Sequence, residues 1–184
     1  FRNTKSYWSK AATLMLKAEV YLWTSQNGGG ATDATAALSS LTDIQTNIPA
    51  LALQSNFANV FSNRGNSEII FAVRNLNAEN SLPFANTFYP QTSLIANFHD
   101  SLNARQMNSP TLDNWGGLLR APVRVATFRK FSNSDARKWF SIQSAYTRPS
   151  PGVYVIAGCF VKKFEGEQVA GVRVNSNDYP IYRY

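Results

Sequence analysis

The sequence predicts a mainly α fold, a helical hairpin followed by a loop-rich region with short helices and a few short strands. Three observations carry that expectation. The stretch from Tyr7 to Trp23, YWSKAATLMLKAEVYLW, holds no Gly or Pro and is dominated by strong helix formers. The run from Ala34 to Ile48 repeats apolar residues every three or four positions. Between them TSQNGGGAT, Thr24 to Thr32, is a breaker cluster short enough to favour an antiparallel return.

The first helix has a narrow polar stripe of Lys10, Thr13 and Lys17, with Glu19 apart. Trp8, Leu14, Met15, Tyr21 and Leu22 fill much of the rest, so the helix is expected to be covered on more than one side. Alanines at 11, 12 and 18 let a second helix approach to roughly 8–10 Å. For that second helix Thr32 or Asp33 is the expected N-cap, Ala37, Leu38, Leu41, Ile44 and Ile48 form the apolar face, and Pro49 ends it. Residues 1–53 therefore read as the hairpin and 54–184 as the loop-rich part of one fragment of a larger domain.

Gln54 to Phe61 has Phe57, Val60 and Phe61 at helical spacing, and SNRGN is a turn. Glu68 to Val73 reads as a strand or extended buried segment. From Asn75 to Pro90 the chain is Asn-rich loop carrying Phe84, Phe88 and Tyr89. Thr92 to Asn103 reads as a helix on Leu94, Ile95, Phe98 and Leu102, and Asn108 to Gly117 as a loop holding Trp115. Ala121 to Phe131 alternates like a strand, yet Pro122 suits a first helical turn, and the balance leans to helix. Arg148 to Gly152 reads as loop, Val153 to Phe164 as β-rich, and Val172 to Asn175 as short and extended.

At 184 residues with 44% hydrophobic and 16% charged residues, the chain can bury a substantial core under a neutral, hydrogen-bonding surface. The net charge of +7 raises the prospect of an anionic partner. Arg120, Arg124, Arg129, Lys130, Arg137 and Lys138, interleaved with Phe128, Phe131 and Trp139, are the residues that would grip a nucleic acid. No RRM, KH or zinc pattern accompanies them, and pairing with backbone carbonyls or Asp135 accounts for them as well. One cysteine, Cys159, excludes an internal disulfide and a two-cysteine metal or redox motif. No apolar run reaches the ~18 residues of a membrane span. The opening on Phe1 and the apolar end NDYPIYRY read as those of an internal piece.

Catalytic signals are sparse. His99, the only histidine, sits beside Phe98 and Asp100 in the expected helix, and no G-x-S-x-G supports a nucleophile. No His, Cys, Asp or Glu cluster has metal-ligand spacing, and the triple glycine lacks the Lys-Ser/Thr of a phosphate loop. No enzyme activity, cofactor or metal is expected.

Taken together, KSYWSKAATLMLKAEVYLW, FANVFSNRGNSEIIFAVR, FSNSDARKWF and the pair FVKKFEGE and NDYPIYRY resemble, in order, motifs of the SusD-like (RagB/SusD) family of outer-membrane glycan-binding lipoproteins. The resemblance implies tetratricopeptide-like helical pairs, binding loops, a lipid anchor upstream of this chain and a SusC-like TonB-dependent transporter as partner. The expected function is non-catalytic capture of an oligosaccharide at the bacterial surface, with nucleic-acid binding or a purely scaffolding helical repeat as rivals. Aromatics on loops are better ligand candidates than those at helical spacing, which fill core. That sets aside Trp8, Tyr21, Trp23, Phe57 and Phe61, and Trp139 follows a structural motif. Trp115 and then Tyr89 are the expected sugar-stacking residues, with Asn114 and Arg120 as hydroxyl partners.

Overall fold

The computed structural model describes residues 5–76, 84–100, 102, 104–170, 172–174 and 176–184. Its helices are α1 (Lys10–Thr24), α2 (Gly30–Asn47), α3 (Asn59–Ser62), α4 (Phe84–Phe88), α5 (Thr92–Ile95), α6 (Val125–Lys130) and α7 (Ala136–Ser141). Its strands are β1 (Ile69–Val73), β2 (His99–Asp100), β3 (Arg105–Gln106), β4 (Ile142–Ser150), β5 (Val153–Val161), β6 (Glu167–Val169), β7 (Val172–Val174) and β8 (Tyr179–Arg183). They fall into two units, Phe1–Arg74 with Asp178–Tyr184, and Asn75–Asn177.

In the first unit α1 starts where Ser9 Oγ accepts from the Ala12 N–H at 3.2 Å. Ala11 and Ala12, early in α1, share a core with Ile44, late in α2, so the two helices run antiparallel. They are joined by a kinked turn, Ser25–Gly29, in which Gly28 has φ +114°, a conformation that favours glycine over any residue with a Cβ. Helix α2 therefore starts at Gly30, ahead of the expected cap at Thr32 or Asp33, and has no side-chain cap. Asp33 instead accepts from the Thr24 hydroxyl and ties the two helices together. Strand β1 pairs antiparallel with β8, so the apolar YPIYR segment is a sheet partner. Tyr182 of β8 joins the same core, and its hydroxyl donates to Glu19 at 2.6 Å.

Among the described residues one face of α1 is covered. Ala11, Ala12 and Ala18 are buried, whereas Leu16, Val20, Leu22 and Trp23 are exposed. The alanines fix which face meets α2, and the second cover that the narrow polar stripe calls for does not come from the described residues. With Ala12 fully enclosed, Ala12→Trp is expected to cost about 1–3 kcal/mol by overpacking, while Lys17→Ala on the exposed side leaves the denaturant midpoint unchanged. Equal midpoints for the two variants would disprove the alanine packing.

The second unit is built on a sheet of order β3-β2-β4-β5, all antiparallel, with a separate β6–β7 hairpin. Its centre is the nine-residue pair β4 and β5, turned at Pro151 and Gly152, where Gly152 takes φ +79°. One core gathers Tyr89, Ile95, Met107, Trp115, Ala145 and Phe160, and a second Phe128, Ile142 and Cys159.

The fold is thus mixed α/β rather than mainly α, with 37% of the described residues helical and 22% in strands. The correction lies in the second half. Arg148 to Ser150, read as loop, extend β4 across from β5, because proline is tolerated near a strand end and only Pro151–Gly152 have to turn. Thr92 to Asn103, read as one helix, stops at Ile95, and His99 pairs in the sheet with Gln106 and Tyr146. Cross-strand partners far apart in sequence override a helical apolar spacing there. Phe84–Phe88, read as loop, is a short helix. Ala121 to Phe131 contains both of its readings, since Val123 bridges Cys159 before α6 begins at Val125.

Candidate ligand-binding surface

The loop that carries Trp115 is held by a buried carboxylate. Asp113, 1% exposed, accepts from the Ser109 N–H at 2.9 Å and receives a forked pair of bonds from Arg105 at 2.6 and 2.9 Å. The hydrogen bond to Asp113 pushes the Arg105 guanidinium pKa upward. Beyond the loop, the N–H groups of Gly117, Leu118, Leu119 and Ala121 donate to the carbonyls of Pro90, Asn86, Tyr89 and Thr87. The segment is a strap fastened at both ends.

That fastening decides where the expected site residues go. Trp115 and Tyr89 do meet, with ring centroids 5.2 Å apart, but both are buried, at 5% and 0% exposure. Phe160 covers Trp115 edge-on at 5.2 Å, and the Arg173 guanidinium lies 4.0 Å from its ring centre. Arg173 donates to the carbonyls of Glu165 (2.9 Å) and Leu112 (3.1 Å), so its charge is spent on holding loops. The Tyr89 hydroxyl donates to the Phe164 carbonyl. Neither ring offers a face to solvent. Asn114 is half-buried and Arg120 exposed, so those two of the four reach the surface.

Aromatic rings at the surface stand instead on the long hairpin. Tyr146 and Tyr154, both half-buried, pack edge to face at 6.3 Å, and His99 meets Tyr154 at 6.1 Å. The exposed Arg148 guanidinium lies 5.9 Å from the Tyr154 ring centre. His99 pairs with Tyr146 in the sheet, which sets both on one face. Sequence reasoning passed over these tyrosines. The signal available was their placement either side of RPSPG, since a turn there makes them neighbours on adjacent strands.

The basic cluster is largely absorbed by the fold. Arg137 forks onto Asp135, which also caps α7. The Arg137 guanidinium draws the Asp135 carboxyl below its ordinary pKa. Lys138 is buried between the rings of Phe128 and Trp139, at 4.3 and 4.8 Å, and donates to Phe131 O and Asn133 Oδ1. Arg120, Arg124, Arg129 and Lys130 keep exposed positions. Cys159 is buried, and burial pushes its thiol up to about 11, which makes it a poor nucleophile near neutral pH. Among the described residues no three His, Cys, Asp or Glu side chains gather as a metal site, and no helix is long and apolar enough to cross a membrane.

The whole chain superposes on NanU from B. fragilis with a TM-score of 0.91 and 34% identity, covering 100% of this chain and 39% of that one. A SusD superfamily protein from Bacteroides fragilis gives 0.87 and 30%, covering 99% of this chain and 39% of its own. Surface glycan-binding protein A from Bacteroides thetaiotaomicron, solved with laminarihexaose, shares the fold more distantly, with a TM-score of 0.55 and 18% identity over 98% of this chain and 43% of that one. The chain thus spans about two fifths of the length of each. No protein-family model and no curated protein matches it.

Proposed function

The chain belongs to the SusD superfamily, and on that premise we propose that it is part of a non-catalytic protein that captures an oligosaccharide at the bacterial cell surface. In this reading the whole protein is lipid-anchored in the outer membrane and passes its cargo to a SusC-like TonB-dependent transporter. The observation that carries the reading is the match of fold and sequence over the full chain to SusD superfamily structures. A local feature supports it. Tyr146, Tyr154 and Arg148 form a surface group with apolar ring area for a pyranose and a guanidinium for its hydroxyls. Asn114 and Arg120 are further hydroxyl partners, and Trp115 and Tyr89 act from beneath by holding the strap between them.

Titration calorimetry with a panel of neutral oligosaccharides, laminarihexaose among them, tests the reading. Shallow sugar sites suggest a dissociation constant of roughly 1 µM to 1 mM. Binding is expected to be nearly unchanged between about 50 and about 500 mM salt, because no phosphates release counterions. Tyr154→Ala is expected to weaken binding at least about tenfold, on the order of 1.4 kcal/mol, at an unchanged fold. A protein that binds an oligothymidylate with steep salt dependence and no oligosaccharide is a nucleic-acid binder, and the proposal fails.

A further inference from the structure

The positive charge of the chain is concentrated in one stretch. Residues 114–164 hold nine of the 18 Lys and Arg but one of the 11 Asp and Glu, Asp135, so the whole net charge of +7 arises there and the rest is slightly acidic. Asp135 is taken up by Arg137, and Lys138 is buried between rings. Arg124, Arg129 and Lys130, at the start and end of α6, are exposed, and the stretch has no second acid to pair with them.

The fold lays these cations on the face that carries the tyrosines. Phe128 of α6 packs with Ile142 of β4 and Cys159 of β5, and Ile156 packs against the same cluster. Ile156 is the cross-strand partner of Tyr146 and stands two residues from Tyr154, so all three project from the side on which α6 lies. The 6.3 Å contact between the two tyrosine rings agrees with that placement. Arg148, 5.9 Å from the Tyr154 ring centre, adds a cation at the hairpin end of the same surface. Half-buried rings are thus bordered by exposed cations whose mutual repulsion gives the fold nothing.

From this we infer that the surface takes an acidic glycan, an oligosaccharide whose rings carry carboxylates or sulfates. The sugar lies over Tyr146 and Tyr154, and its anionic groups meet Arg148 and the cations of α6, where a guanidinium fork matches a carboxylate or sulfate edge. The inference rests on the glycan-capture reading above and narrows its substrate class. A nucleic acid fits less well, because the rings interleaved with these cations are already engaged. Phe128 is buried, and Trp139 stacks on Lys138 and donates its N–H to the Asn133 carbonyl.

Calorimetry on the purified protein with two matched pairs of hexasaccharides tests it: laminarihexaose against its sulfate ester, and hexagalacturonate against its methyl ester. Each pair changes the charge and keeps the sugar. In at least one pair the acidic member is expected to bind at least about tenfold more tightly at about 50 mM salt, and the advantage to shrink at about 500 mM through screening. The pair that shows it separates sulfate from carboxylate. Arg129→Gln with Lys130→Gln is expected to cancel most of the advantage at an unchanged melting temperature. Lys10→Gln with Lys17→Gln removes the same charge from exposed positions on α1 and is expected to keep it. Neutral members that bind as tightly as the acidic ones, or an advantage lost equally in both variants, would overturn the acidic assignment and leave glycan capture standing. Binding to none of the four sugars overturns the assignment too, and if an oligothymidylate binds in their place, glycan capture falls with it.

Discussion

Replacing Trp115 with Ala is expected to lower stability by about 3–5 kcal/mol. The indole is 5% exposed and packs against Tyr89, Phe160 and Arg173. Its removal leaves a cavity beneath the strap and strips the Arg173 guanidinium, itself 8% exposed, of the ring it stacks on. The loss is expected as a lower urea midpoint at unchanged slope, because the native fold survives with a hole in it. Trp115→Phe fills part of the space and is expected to lose less. Midpoint and oligosaccharide binding should be measured on the same samples. Lost binding at a wild-type midpoint would identify Trp115 as a ligand-stacking residue and contradict the packing role.

Arg105→Ala is expected to cost about 3 kcal/mol, towards the low end for a broken buried ion pair because Arg105 is itself 32% exposed. The asymmetry between the partners is the informative part. Removing the arginine leaves a carboxylate at 1% exposure with the Ser109 N–H as its remaining partner among the bonds described here, whereas Asp113→Asn keeps a neutral acceptor in place. The single variant Arg105→Ala is thus expected to be less stable than the double variant Arg105→Ala with Asp113→Asn. Differential scanning calorimetry of the two proteins checks the order. A double variant that melts below the single one would mean that the Asp113 carboxylate is not penalised by its burial once Arg105 is gone.

Both variants act on the stretch where sequence reasoning was least reliable, and the reason is local. Trp115 and Tyr89 were expected at the surface because Asn, Gly and Pro around them mark irregular backbone, and irregular backbone usually lies outside. Here four N–H groups from 117 to 121 find carbonyls between Asn86 and Pro90. A loop whose backbone is satisfied in this way can be covered, and its aromatics become core. That pairing joins segments some thirty positions apart, and no periodicity announces it.

The sequence by itself determined the family, through motifs spread along the whole chain, and it determined α1, α2 and the glycine turn, whose signals are short-range: helix propensity, apolar spacing and a left-handed Gly28. Beyond β1 and β5, which the sequence already suggested, tertiary structure decided the mixed α/β character, because Arg148–Ser150 become strand only against β5 and His99 only against Gln106 and Tyr146. It also decided that the tyrosines, rather than Trp115, stand at the surface. A helix closes its hydrogen bonds within a few residues, whereas a sheet or a strapped loop closes them against chain that only the fold brings near.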